Sequence, residues 1–281
     1  MERQVNLYSS VKLSLKTKNR FTKGELCQKK HSFHGRPVPY SELSKIHAHR
    51  AWKKPIVPSV NPIMYLHFYG IRGNDQRIIP NKYFSKLHLT NDEIYTLGLN
   101  RWRLDLTVYN KTLLPGNELN RSKGHVNNNA VELFQGLFGK VRIYIETESA
   151  NKVYGYYCDL NPGEFMFIPK HWYHSTHVLE GPSGVIDIVN QEGFVDWRFK
   201  KYKTKQSHCT FIKTDKTISC LTRSDKRKSL ILQQIKPYTT IPHLRKCSSL
   251  YEIIHKLSDR ELIQFAKKML NTGQKSLVLK K

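Results

Sequence analysis

Four positions in the middle of the chain have the types and spacing to hold a metal: His125, Asn127, Glu132 and His174. Side chains alternate along a strand, so His125 and Asn127, two residues apart, point to the same face. A carboxylate from the next strand, Glu132, and a histidine from a third, His174, can meet them there. A β-barrel builds a metal site in this way, with ligands projecting inward from neighbouring strands and the gaps set by the hairpins between them. Amide oxygen is a poorer transition-metal ligand than neutral imidazole, so Asn127 is expected as a weak ligand or a water holder. The remaining two histidines and one carboxylate are the set used by non-haem iron oxygenases, which keep coordination positions open.

The elements that must position these residues are short strands. Arg103 to Thr112 places Leu104, Leu106 and Val108 on one side, and Val141, Ile143 and Ile145 alternate with Arg142, Tyr144 and Glu146; Phe165 to Ile168 and Val185 to Val189 follow. Turn signals at Pro115-Gly116, Lys123-Gly124, Gly136, Gly139, Pro162-Gly163 and Gly181-Pro182 separate them. Such spacing predicts an all-β sandwich or barrel. Helix is expected only near the end, over Ser249 to Leu257 and then from a capping box at Ser258–Glu261. That box opens an amphipathic stretch carrying Leu262, Ile263, Phe265, Ala266, Met269 and Leu270, which stops before Gly273.

With these residues in view, the segment resembles the cupin superfamily. His125-x-Asn127, Glu132 and Gly139 follow its first motif with one substitution, and Gly163, Pro169-x-His171 and His174 follow its second with another. Over roughly residues 104–197 the likeness is to the archaeal-type (cupin) phosphoglucose isomerases. It rests on Leu113-Leu114-Pro115-Gly116, Ser122-Lys123-Gly124-His125, Glu132-Leu133-Phe134, Leu137-Phe138-Gly139-Lys140, Pro162-Gly163, Pro169, Trp172-Tyr173-His174 and Thr176.

The resemblance implies a cupin-type small β-barrel, jelly-roll-like, and a divalent metal: Fe²⁺ first, with Zn²⁺, Mn²⁺ or Ni²⁺ as alternatives. It implies a sugar-phosphate substrate whose phosphate is held by Ser122, Lys123 and Gly124, a Glu132 that shuttles the proton of an aldose–ketose isomerisation, and a homodimer. Two departures stand out: Asn127 replaces the second histidine, and Phe134 replaces a substrate-contacting tyrosine. A carboxylate drawn onto a dication is a weak base, so weak or absent glucose-6-phosphate isomerase activity is expected. An Fe(II)-dependent oxygenase and a non-catalytic cupin that binds a polyanion through its flanks are the alternatives. His171 stands where the motif prefers glycine, so it is expected to leave the barrel; Trp172 should pack at the rim, and His177 should be structural.

Three segments are expected: a basic, loop-rich N-terminal arm over 1–60, a barrel domain over 61–200 with its core at 100–197, and a basic C-terminal extension over 201–281 with a helical hairpin at 249–272. Charge separates them. Lys+Arg against Asp+Glu count 13 to 3 over 1–54, 13 to 14 over 55–197, and 21 to 5 over 198–281, which together give the net +25. Flanks of this kind fit a polyanion such as nucleic acid or an acidic surface, or simply a solvated lysine-rich face. No zinc-finger spacing, RNP-like strand or helix-turn-helix pair sharpens the first of these. His47 and His49 would face one side of a strand, but no third ligand accompanies them.

The 5 cysteines have no Cys-x-x-Cys pair, so neither structural zinc nor a disulfide framework is expected and free thiols in a reducing compartment are. No membrane-spanning or secretory block is seen, and the expectation is a cytoplasmic protein, with an organellar presequence over Met1 to Phe21 as the alternative.

Overall fold

The computed structural model describes backbone strands within residues 2–68, and then residues 102–126, 132–190, 207–215, 217–222, 228–258 and most of 260–269. Within the first part, β1 (Glu2–Tyr8), β2 (Val11–Thr17), β3 (Gly24–Gln28) and β4 (His31–His34) form an antiparallel four-stranded sheet. β5 (Arg36–Val38) and β6 (Ile63–Phe68) extend the main sheet instead, β6 lying antiparallel to β7 (Trp102–Tyr109). The arm's described strands are short, and two of them include a breaker, Gly24 at the start of β3 and Pro37 within β5.

The barrel is built around two long, bent strands, β9 (Glu132–Ser149) and β12 (Tyr173–Asn190), which run antiparallel to each other. The late half of β9 pairs with β10 (Lys152–Leu160), and its early half with β11 (Phe165–Ile168). β12 pairs with β8 (His125–Val126) near its start and with β7 along its end. Register shifts between Val178 and Val185 mark the bend, where Gly139 has φ +65°. A Cβ on Gly139 would come within 2.6 Å of the Glu180 carbonyl, so the crossing there requires glycine.

The bend also changes which parity faces inward. Before it β9 turns Phe134 into the core and after it Val141, Ile143 and Ile145; in β12, Val178 points in before and Val185 after. One shifted residue flips every side chain that follows. The core between the faces is apolar, with Leu160, Met166, Ile168 and Tyr156 joining these residues.

The opposite face of late β9 and early β12 carries Tyr144 and Tyr173, and it is not left to solvent. β13 (Cys209–Lys213), paired with β14 (Ile218–Thr222), lays Cys209 and Phe211 over it. β15 (Ser229–Gln234) adds a parallel strand beside β10. Beneath this cover lies a buried polar layer. Arg121 donates to Glu118 at 2.6 Å, Thr210 donates to the same carboxylate, and Tyr144 and the His208 amide donate to Glu146 at 2.6 and 3.0 Å. Arg142 grips Asp159 with two bonds of 2.7 and 2.9 Å while its guanidinium lies over the Tyr157 and Phe211 rings.

Cys209 and Cys220, expected as free thiols, are joined as a disulfide. They lie diagonally across the β13–β14 hairpin with Cα atoms 6.2 Å apart; hairpin pairing brings together cysteines that look unrelated at a separation of 11. Cys158 and Cys247 are free and buried. The helix expected at Ser249 to Leu257 is α1 (Leu250–Lys256), and Ser249 and Glu252 close a reciprocal capping box at its start. Ser258 and Glu261 make the corresponding bonds ahead of the helical residues 260–262. Among the described residues no helix is long and apolar enough to cross a membrane.

Candidate metal centre

Three of the four expected ligands come together. One donor atom each from His125, Glu132 and His174 lies within 4.8 Å of the others. Asn127, the fourth, lies outside the described residues, as do His47 and His49. His125 sits directly across the β8–β12 ladder from His174, and their rings meet edge to face at 4.2 Å. Glu132 opens β9, and its Oε2 is 3.2 Å from His174 Nε2. His174 and Glu132 are buried and His125 is half-buried, which leaves the histidine of β8 on the open side.

The position of His125 depends on its predecessor. Gly124 has φ +72°, and a Cβ there would strike the Tyr173 hydroxyl and approach the His174 carbonyl to 2.7 Å. Only glycine lets β8 pass this close to β12. Tyr173 seals the contact by donating to the Lys123 carbonyl at 3.2 Å.

Burial pushes the His174 imidazole down to about 4, with the Trp172 backbone pulling weakly the other way. The ring is thus neutral at physiological pH, the form that ligates metals. Neither of its buried nitrogens has a hydrogen-bond partner of good geometry among the described residues. A buried imidazole beside a carboxylate and a second imidazole is a donor set that fits a divalent ion, which would replace the missing hydrogen bond. The Phe134 ring lies 5.8 Å from that of His174, and Phe134 belongs to the core cluster in which Tyr156 and Trp172 pack on each other at 5.7 Å.

His171 is exposed and has φ +67°, the backbone region that explains glycine at this place in the motif. Trp172 is half-buried against the core, as a rim residue should be. His177 is fully buried on the outer face, 3.0 Å from the Ser175 hydroxyl and edge-on to Phe211 at 4.9 Å. Burial and the charges of Arg121 and Arg142 keep it well below its ordinary range, while Glu118 pulls in the opposite direction.

The loop expected to hold phosphate is engaged with its neighbour strand. The Ser122 amide donates to the Thr176 carbonyl at 2.9 Å, and the Ser122 hydroxyl accepts from the Thr176 amide at 3.0 Å. Lys123 is half-buried and Gly124 buried beside it.

The polar layer around Glu118, Arg121, Glu146 and His208 is absent from the sequence-based expectations. The one signal for it was the alternation of Arg142, Tyr144 and Glu146, which placed charged and aromatic groups on a face that needed a cover.

No family model matches the chain, and no curated protein does. Among solved structures the chain is similar to a deletion mutant of Bacillus subtilis oxalate decarboxylase, at 10% identity over 47% of this chain and 26% of that one, with a TM-score of 0.30. It is also similar to Peruvianin-I, a cysteine peptidase from Thevetia peruviana latex, at 16% identity over 32% of this chain and 51% of that one, with a TM-score of 0.27. A third is KdgF from Halomonas sp., at 18% identity over 31% of this chain and 68% of that one, with a TM-score of 0.24. The chain thus spans about half or less of the first two proteins, and likenesses of this size say nothing about its reaction.

Proposed function

We propose that the chain is a metal-dependent enzyme of the cupin kind, in which His125, Glu132 and His174 hold one divalent ion with positions left open for a small, oxygen-bearing substrate. The observation that supports this is the convergence of three donors from β8, β9 and β12, one of them a buried imidazole held neutral. Iron(II) suits two nitrogens and a carboxylate best, with manganese, zinc and nickel compatible. When bound, the ion would supply Lewis acidity and open positions for substrate or oxygen. The chain does the rest. His174 keeps its lone pair available, Glu132 offers an acceptor-only carboxylate, and Phe134, Tyr156 and Trp172 keep water from the inner side.

Between the two enzyme readings, oxygen-dependent chemistry fits these residues better than sugar-phosphate isomerisation. The Ser122 amide is already engaged with the Thr176 carbonyl, and Phe134 offers no hydroxyl. Glu132, drawn into the ligand set, is also a poor base.

Metal analysis of the purified and iron-reconstituted protein is the first test. A single equivalent in the natural protein, lost in Glu132→Ala, is expected; no retained metal after reconstitution would end the proposal. Oxygen uptake by the iron-loaded protein on mixtures of small hydroxy and keto acids, set against turnover of fructose 6-phosphate, then separates the two chemistries. Chelator-sensitive isomerisation at an ordinary enzyme rate, on the order of 10 per second, would restore the isomerase reading.

A further inference from the structure

Beside the metal centre the inner wall of the barrel carries two more carboxylates, Asp105 and Asp187, which stand directly opposite each other on β7 and β12. We infer that they form a hydrogen-bond-accepting subsite next to the ion, selecting a substrate that binds metal through an oxygen group at one end and carries a hydroxyl or ammonium donor at the other. This subsite presupposes the metal centre proposed above and gives that centre a substrate class.

Strand parity turns both side chains inward. Asp187 is two residues from Val185 and lies opposite Phe134 on β9, and both of those residues belong to the barrel core. Asp105 lies opposite Asp187 and four residues before Tyr109, another core residue, so it faces the same way. Both aspartates are buried, at 5% and 7% exposure. The neighbouring rung pairs Glu132 with Val189. Diagonal neighbours in such a ladder lie about 7–8 Å apart, so Asp187 is within one small molecule's length of Glu132. Phe134 shares a rung with Asp187, and its ring is 5.8 Å from that of His174. His174 faces the same space, and both of its buried ring nitrogens lack a partner of good geometry among the described residues, which calls for a bound species there.

Like charges directly opposite each other destabilise a sheet, and proteins keep such conflicts chiefly where they serve a function. Each carboxylate is acceptor-only with about four lone-pair positions, so bonds made within the protein leave room for a donor from the substrate. A dication held by one carboxylate stays net positive and draws an anionic oxygen group. The far end of the substrate meets the opposite sign. A donor there gains a charge-assisted hydrogen bond, whereas a second carboxylate meets like charge in a buried wall. Hydroxy or amino acids are therefore accepted and dicarboxylates rejected.

The test titrates the zinc-loaded full chain, by calorimetry, with four-carbon probes that differ only at the far end: 4-hydroxybutyrate, 4-aminobutyrate, butyrate and succinate. At least one donor-ended probe is expected to bind about tenfold tighter than butyrate, and succinate more weakly than butyrate. The tighter of the two donor-ended probes identifies the donor. In Asp187→Ala the donor preference should fall to about twofold or less with butyrate affinity and zinc content unchanged, and in Asp187→Asn the penalty on succinate should shrink. An aspartate with a merely structural role would move all four probes alike. Should Asp187→Ala fail to fold, Asp187→Asn and Asp105→Asn carry the same comparison in isosteric form. Two results overturn the subsite: no preference for a donor-ended probe over succinate in the natural protein, which includes the case in which none binds, or a preference that survives unchanged in the Asp187 variants. Zinc content of the same samples keeps the two readings apart. With zinc retained, these results remove the subsite alone; with none retained, the metal centre falls and the subsite with it.

Discussion

The His174 ring must be neutral both to sit in the fold and to bind a metal, and its burial secures both. Its folded value lies near 4, below the ordinary 6.5, so between those limits the unfolded chain holds the extra proton. Unfolding stability therefore falls as pH drops from about 6.5 toward 4, by up to on the order of 3 kcal/mol from this residue. In denaturant titrations of the metal-free protein, His174→Gln should flatten that slope; an unchanged slope would show that another group controls it. His171→Ala should leave metal content unchanged because that side chain is outside the barrel, whereas Glu132→Ala should abolish it. Gly124→Ala meets both a positive φ and two close atoms, and should cost about 2 kcal/mol or more, with loss of metal affinity as β8 is pushed from β12. The cluster of His125, Glu132 and His174 was legible in the sequence because type and spacing coincide there. The occupied state of Ser122 was not, since its partner Thr176 stands on another strand and no spacing rule links them.

Among the elements, β7, β11 and the late halves of β9 and β12 follow from the strand patterns at 103–112, 165–168, 141–146 and 185–189, and α1 falls where a helix was expected, whereas β10 went unread. The bend was harder to read: Gly139 and Gly181-Pro182 look like ordinary turns between separate strands, yet β9 and β12 run on through them. The cover formed by β13 was hidden for a different reason. Its anchors, Thr210 to Glu118 and His208 to Glu146, join residues whose separations of 92 and 62 carry no periodic signal. His208 makes that cover sensitive to pH. Its hydrogen bond to Glu146 raises it above its usual range, with Glu148 assisting and Lys228 and burial opposing. The stabilisation is present below the ordinary value and is lost as pH rises through the raised one. Limited proteolysis should cut between residues 200 and 230 more readily at pH 8 than at pH 6 relative to His208→Gln, in which the difference should vanish. Arg142→Lys keeps the charge but gives up the paired bonds to Asp159 and the stacking over Tyr157, and should lower stability by about 1–2 kcal/mol.

For the molecule as a whole, the neutral middle and strongly basic flanks set up two separate dependences. Any association with polyanions through the flanks would weaken steeply with salt, while metal retention at a buried centre should hardly respond. Chelation should lower the melting temperature of the natural protein and leave that of Glu132→Ala unmoved, because a ligand of the folded state stabilises by mass action. The bent ribbon of β9 and β12 makes this coupling mechanical. Glu132 pairs with Val189 and His174 with Ile145, so the two residues belong to distant rungs of one ladder. Laid flat, at about 3.3 Å per residue, those rungs would stand about 43 Å apart. In the fold their side chains are 3.2 Å apart. An ion there would fasten the ribbon like a clasp on a bracelet, gripping only when the ribbon has closed, so metal occupancy would report closure of the whole barrel.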